Sequence, residues 1–310
     1  MINQFSRKKM LITVIGIMIF YTIFIIYSDA GQIIETIQGM KIEFIPLILG
    51  IQFISFFLRG FRQKKFLEKI NVQISLKKSF LVFLSGLSML MTPGGTGGII
   101  KSQFLKNELG YSRRKTVPVF FYERYHDFLA IIIIMIIFSI IYSTIISQFL
   151  IIISSIILFV GYLILKSQKI SKRILGKIEK MKIFKKISTD LLETNDSISK
   201  LISSKIFLQG LIISISAVVL DLIAVYLIFI SLNIEYTFFE SSQLFLSSII
   251  SGVLSLLPAG IGVTEGSLLK LLTLRGMELS FASATVLIIR FLTLWFSAIV
   301  GFITLKFLKF

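Results

Sequence analysis

Residues 79–100 read SFLVFLSGLSMLMTPGGTGGII. The apolar part, Phe80–Met91, is too short to cross a hydrocarbon core ~30 Å thick, which takes roughly 20 helical residues. It runs into Thr92-Pro93-Gly94-Gly95-Thr96-Gly97-Gly98, where proline and glycine interrupt a helix. Both flanks are basic. Arg59, Arg62, Lys64, Lys65, Lys69, Lys77 and Lys78 precede the segment, and Lys101, Lys106, Arg113, Arg114 and Lys115 follow it. Short loops rich in Lys and Arg stay on the cytoplasmic side, so residues 79–100 enter and leave on one face. Unpaired backbone is not tolerated in lipid, so the break must be buried in protein or line a cavity. The expectation is a re-entrant hairpin from the cytoplasm.

Working outward, full spans fall at 10–27, 42–58, 117–141, 146–165, 206–230 and 281–305. Residues 28–43, 142–145 and 231–241 carry one basic residue, Lys41, and several acids, which places them outside. Residues 242–280 must then start and finish outside. They too are broken, at Leu257-Pro258-Ala259-Gly260-Ile261-Gly262-Val263-Thr264-Glu265-Gly266. The order span, span, re-entrant segment, span thus occurs twice, in halves 1–145 and 146–310. An odd number of crossings in each half turns the second upside down, the inverted-topology repeat of transporter folds. Pro93-Gly94-Gly95-Thr96-Gly97 resembles Pro258-Ala259-Gly260-Ile261-Gly262 at an offset of 165 residues, and Arg124 matches Arg290 at 166. The alternative is two Pro/Gly breaks of separate origin. The expected fold class is an all-α polytopic membrane protein with about six full transmembrane helices and two oppositely oriented re-entrant segments. It is a multi-pass protein of the cell membrane with both termini cytoplasmic.

Two further segments bear on this topology. Arg7, Lys8 and Lys9, the apolar run Met10–Tyr27 and the small-x-small Ser28-Asp29-Ala30 resemble a signal peptide. The run is longer than the usual ~7–15 residues, so an uncleaved first helix is expected. Residues 166–205 are the most basic. Ile170, Ile174, Ile178 and Met181 alternate with Lys172, Arg173, Lys177 and Lys180 at helical spacing. This fits a basic amphipathic cytoplasmic segment on the membrane surface, or a solvated linker helix.

The chain is 55% apolar and carries 33 Lys+Arg against 16 Asp+Glu. Because the cations sit between apolar runs, the partner they fit is an anionic lipid surface and not nucleic acid. The absence of cysteine excludes disulfides, thiolate metal sites, cysteine nucleophiles and c-type haem, and the single histidine, His126, argues against a His-based metal site. No Gly-x-Ser-x-Gly, His-Glu-x-x-His or Walker A sequence occurs, so no catalytic residue, metal or cofactor is assigned and an enzyme is not expected. ATP-driven transport would need a partner chain.

Ionisable residues inside spans are the candidates for a site, since a charge at the bilayer centre costs roughly 2.5–3.5 kcal/mol on insertion scales. Glu123, Arg124 and Asp127 lie in one span, with Arg124 roughly 14 Å from its cytoplasmic end at 1.5 Å per residue. Glu123 and Asp127 share a helix face, and Arg124 can reach Asp127, so partial self-neutralisation is expected. They form either a polar site facing the bundle interior or an ion-pair cluster locking this span to the first hairpin. Arg290 has no acid within a turn, so its partner is Glu265, in the second break, or Asp221, inside the span 206–230. It either grips a phosphate through its planar fork or forms a buried structural pair. Broken helices also expose backbone N–H groups that attract anions. The glycines of the breaks, Gly94, Gly95, Gly97, Gly98, Gly260, Gly262 and Gly266, would let a headgroup approach the backbone, or they only permit tight helix packing.

The run from Thr92 through Gly98 to Lys101, the pattern Glu123-Arg124-x-x-Asp127, and the run Leu257–Gly266 together resemble the transmembrane region of lysylphosphatidylglycerol synthases. The resemblance covers nearly the whole chain. That flippase-like family includes free-standing members and regions fused to glycosyltransferases. The family often has Gly-Glu where this chain has Gly97-Gly98, and Arg where it has Thr264. No soluble aminoacyl-transferase domain follows in these 310 residues, so the resemblance implies lipid translocation and not lysyl transfer, with Lys101 joining the site. The implied function is a translocator of an anionic lipid, either a phospholipid or a polyprenyl-phosphate-linked glycolipid. The rivals are a non-catalytic partner subunit of a membrane glycosyltransferase or other lipid enzyme, and a lipid-modifying enzyme using Glu123 or Asp127 as acid/base.

Overall fold

A computed structural model describes Tyr21, residues 30–90 and 97–166, Leu201 and residues 204–308. The expected first span other than Tyr21, the first break from Thr92 to Thr96 with Gly94 and Gly95, and the basic segment 167–200 lie outside the described residues. All regular structure among the described residues is helical: α1 (Ala30–Gln38), α2 (Ile45–Lys69), α3 (Leu76–Leu87), α4 (Gly97–Leu109), α5 (Arg113–Phe138), α6 (Ile145–Lys166), α7 (Ser204–Ser231), α8 (Phe238–Leu254), α9 (Val263–Leu274) and α10 (Leu279–Leu305). Helix α10 widens to a π-helical turn over Phe291–Trp295.

Four stretches are long and apolar enough to cross a bilayer: Ile42–Lys69, Ile145–Leu163, Lys205–Ser231 and Leu279–Leu305. Large apolar side chains such as Ile145, Phe149, Ile152 and Phe159 are exposed along them, as lipid-facing surfaces require. The chain is a helical membrane protein. Helix α5, at 26 residues, is equally long, but Glu123, Arg124 and Asp127 interrupt its apolar run.

Helices α2 and α7 form the central pair. Contacts advance in opposite directions along them: Ser55 meets Asp221, Arg62 meets Ser214, and Phe66 packs where Gly210 lacks a side chain. The pair is therefore antiparallel, and Lys41 N donates to Ser231 O at 2.9 Å where α7 ends. Around it Ile48, Met135, Leu222, Val225, Ile228, Phe229, Leu268 and Ile289 form the buried apolar core.

Two helical hairpins flank this pair. Each is short-armed and closed at its mouth by a cross-arm ion pair. In the first, α3 and α4 span 12 and 13 residues, about 18–20 Å at 1.5 Å per residue. Lys78 and Glu108 meet at 3.8 Å across the mouth. Lys115 Nζ donates to Asn71 O at 3.1 Å, and Gln73 N to the Tyr111 hydroxyl at 3.1 Å, so this mouth lies where α2 ends and α5 begins. Ser75 starts α3 by accepting from Lys78 N. In the second, α8 begins at a capping box in which Glu240 N donates to Thr237 Oγ1 at 3.2 Å and Thr237 N to Glu240 Oε2 at 3.0 Å. The same Glu240 meets Arg275, just past α9, at 2.5 Å. This mouth lies where α7 ends, so the hairpins open at opposite ends of the α2–α7 pair.

Among the described residues, helices cover the expected spans 117–141, 146–165, 206–230 and 281–305 to within a few residues, and 42–58 differs. Helix α2 runs on to Lys69, taking Arg59, Arg62, Lys64, Lys65 and Lys69 out of the expected cytoplasmic loop. The expectation ended the span at the first cation. The helix continues because carboxylates of neighbouring helices neutralise Arg59 and Arg62 inside it.

Candidate functional site

Three sets of buried charge lie along the described helices. The central one is built by α2, α5 and α7. Gln52, Ser55, Arg59 and Arg62 fall at i, i+3, i+7 and i+10 and form one polar stripe that starts in the apolar part of α2. Arg59 Nη2 binds Asp221 Oδ2 at 2.6 Å, while Ser55 donates to Asp221 Oδ1 at 2.7 Å and accepts from Arg59. Arg62 is 1% exposed and holds Asp127 with both terminal nitrogens, at 2.5 and 3.2 Å. It also donates to Ser214, whose hydroxyl is anchored on Gly210 O at 2.7 Å. Asp127 further lies 3.8 Å from Arg59 and 3.9 Å from Arg124. Fork-to-carboxylate geometry at this depth gives charge-assisted bonds, and removing one partner of such a buried pair costs roughly 3–5 kcal/mol.

The second set joins the first hairpin to α5. Lys101, near the start of α4, binds Glu123 Oε2 at 3.0 Å, and both residues are buried. The ammonium sits 4.7 Å from the Phe83 ring and 5.0 Å from the Phe120 ring, so two aromatic faces share its charge. Its stem packs where Gly86 of α3 leaves room. Glu123 Oε1 is buried with no hydrogen-bond partner.

The third set joins the second hairpin to α10. Arg290 Nε donates to Glu265 Oε1 at 2.7 Å, and its Nη2 donates to Ala259 O, inside the break, at 3.0 Å. The other Glu265 oxygen accepts from Gly262 N at 2.7 Å, and the Tyr21 hydroxyl donates to Oε1 at 2.8 Å. The break itself is tightly folded: Leu256, Ala259, Gly260 and Gly262 all have positive φ, at 57°, 51°, 65° and 89°. Non-glycine residues pay for that conformation, so the contacts of Arg290 and Glu265 hold a backbone that would not hold itself. Gly260 has a second reason to lack a side chain, because a Cβ there would lie 2.8 Å from Gly252 Cα. Gly266 differs: a Cβ there would meet open space.

These contacts sort the expected residues. Glu265 is the partner of Arg290, and Asp221 is not; Asp221 belongs to Arg59. Glu123, Arg124 and Asp127 do not neutralise one another beyond the 3.9 Å Arg124–Asp127 approach, because Glu123 turns to Lys101 and Asp127 to Arg62. Arg124 is the outlier. Its side chain is 60% exposed, unlike the buried Arg290 it matched by offset. By environment the counterpart of Arg290 is Glu123, with polarity reversed: the returning arm of the first hairpin supplies the cation, that of the second the acid. Gly97 and Gly98 open α4. Arg59 and Arg62 escaped the sequence reading, although the Gln52-Ser55-Arg59-Arg62 stripe was there to be read.

Comparison with known proteins places the chain as follows. The family model for the lysylphosphatidylglycerol synthase TM region matches residues 12–301. A UPF0104 membrane protein of Pyrococcus horikoshii is 26% identical over 320 aligned positions, covering 95% of each chain. A UPF0104 membrane protein of Methanothermobacter thermautotrophicus is 19% identical, covering 96% of this chain and 94% of its own.

Proposed function

The chain belongs to the family of the lysylphosphatidylglycerol synthase TM region, and from that footing we propose that it translocates an anionic lipid, a phospholipid or a polyprenyl-phosphate-linked glycolipid, across the cell membrane. The observation that carries the reading is the placement of buried charge. Each hairpin is tied by an ion pair to the long helix that follows it, and the two hairpins open at opposite ends of an antiparallel central pair. Paired charges inside spans mark substrate or ion pathways, and broken helices meeting near the midplane from both faces are the transporter arrangement. In this reading the spans number six, the hairpins are re-entrant segments, and 1–145 and 146–310 are inverted repeats. The Lys78–Glu108 mouth, among Lys64, Lys65, Lys69, Lys77 and Lys106, faces the cytoplasm together with both termini. In this reading the buried acids Glu123, Asp127, Asp221 and Glu265, each engaged by a cation, serve passage of charge and not proton abstraction.

The lipids carried through purification test the proposal. Mass spectrometry of lipid extracted from the detergent-purified chain should find one anionic phospholipid or polyprenyl-phosphate glycolipid enriched over the bulk membrane. Stoichiometric recovery of a glycosyltransferase, with lipid in bulk proportions, would favour the partner-subunit reading instead.

A further inference from the structure

Within the three sets of ion-paired charge, one cation is left over. Lys101 cancels Glu123, and Arg290 cancels Glu265. In the central set three guanidinium groups, Arg59, Arg62 and Arg124, face two carboxylates, Asp127 and Asp221. Asp221 is taken by Arg59, and both oxygens of Asp127 are taken by Arg62. Arg124 is the residue left over. Among the described residues its one ionic neighbour is Asp127 Oδ2, at 3.9 Å, and its side chain is exposed. It lies about 16 Å along α5 from Arg113 at 1.5 Å per residue, which in the translocation reading sets it well inside a hydrocarbon core ~30 Å thick. One turn back on the same helix, Phe121 is also exposed, so an apolar side chain flanks the guanidinium on that side. An unneutralised arginine at this depth demands an anion from outside the chain, and the molecule that presents an anion on an apolar tail from the side is a lipid.

We propose that Arg124 is the lateral seat of a lipid phosphate, with the acyl chains lying along the Phe121 face of α5 and Asp127 behind the guanidinium holding it in place. The inference rests on the translocation reading and deepens it by placing the headgroup's point of entry. A guanidinium offers a phosphate two parallel N–H donors. Asp127, already shared by Arg62 and Arg59, loses little when Arg124 turns from it to the phosphate. Arg59 and Arg62, whose guanidinium groups follow inward, then offer the next positive charges on the path.

The test is native mass spectrometry of the purified full chain in a phosphate-free detergent, titrated with phosphatidylglycerol, with diacylglycerol of the same chains, and with inorganic phosphate. Wild type is expected to bind phosphatidylglycerol more tightly than diacylglycerol. Arg124→Gln, at an exposed position, should fold normally and lose roughly tenfold or more in affinity, the worth of a hydrogen bond to a charged group, while Arg124→Lys should keep most of it. Unchanged affinity in Arg124→Gln overturns the seat. Equal binding of diacylglycerol, displacement by inorganic phosphate at matching concentration, or recovery of a second polypeptide on Arg124 in place of lipid each overturns the lipid phosphate as occupant. Lipid bound at Arg124 without transbilayer movement in liposomes would defeat the translocator and leave the seat. Movement undiminished in Arg124→Gln would defeat the seat alone.

Discussion

Replacing Arg290 by leucine leaves Glu265, which has no solvent exposure, as a buried carboxylate with only Gly262 N and the Tyr21 hydroxyl beside it. It also takes the donor from Ala259 O in a break already held at positive φ. Loss of one partner from a buried pair costs roughly 3–5 kcal/mol. For a chain of this size each kcal/mol moves the melting temperature by about 2 °C, so Arg290→Leu should melt about 6–10 °C below wild type. Arg290→Lys keeps the charge but not the fork, and one ammonium cannot reach Glu265 and Ala259 O as the guanidinium does. It should lose one charge-assisted hydrogen bond, roughly 1.5–3 kcal/mol, and melt about 3–6 °C low. The reversed polarity of the Lys101–Glu123 pair suggests a third variant. Glu265→Lys combined with Arg290→Glu should melt above either single change, though below wild type because Gly262 N loses its acceptor. The assay is intrinsic fluorescence during a thermal ramp in detergent. Trp295 is the only tryptophan in the chain and packs edge-on to Tyr21, with ring centroids 5.6 Å apart, so the signal comes from this site. Arg290→Leu melting within about 1 °C of wild type would refute the reasoning, because no buried pair of this strength could then exist.

At the first hairpin, Lys101→Met should destabilise by roughly 3–5 kcal/mol while Lys101→Met with Glu123→Leu comes back near wild type, read as melting temperatures, since an apolar pair can replace a buried ion pair. Gly260→Ala should cost more than about 1 kcal/mol, because φ is +65° and the added Cβ would lie 2.5 Å from Thr264 Oγ1, whereas Gly266→Ala, inside α9 with open space around it, should melt at or slightly above wild type. Single cysteines at the exposed Asn107 and Glu235, in a chain without native cysteine, should label from opposite faces of intact cells, Glu235 from outside; labelling of both from one face would destroy the inverted arrangement.

The long apolar helices were legible because hydrocarbon thickness fixes their length, and the break at residues 257–262 because proline and glycine leave backbone that lipid cannot satisfy. The Glu265–Arg290 pair was legible as one of two options, since a buried arginine must find an acid. What the sequence could not settle was which acid goes with which cation. Asp221 and Glu265 are equally plausible partners until α7 is known to lie against α2, and that packing is set by shape, such as Phe66 filling the space at Gly210. Arg59 and Arg62 were hidden for the opposite reason. Both look like the edge of a basic loop, and only their carboxylate partners, 162 and 65 positions away, make them interior residues. The offset match of Arg124 with Arg290 was misleading in environment, because a one-residue shift on a helix turns a side chain by about 100° and exchanges the inward position with Glu123.

Transbilayer movement itself is the most direct measurement. Liposomes holding the purified chain and a trace of headgroup-labelled phosphatidylglycerol are exposed to an impermeant quencher. Protein-free vesicles lose only the outer-leaflet signal. Vesicles with the chain alone, and no added nucleotide or partner, are expected to lose nearly all of it, with Arg124→Gln slower than wild type. Signal loss that stops at the outer-leaflet fraction in vesicles shown to contain folded protein would contradict translocation.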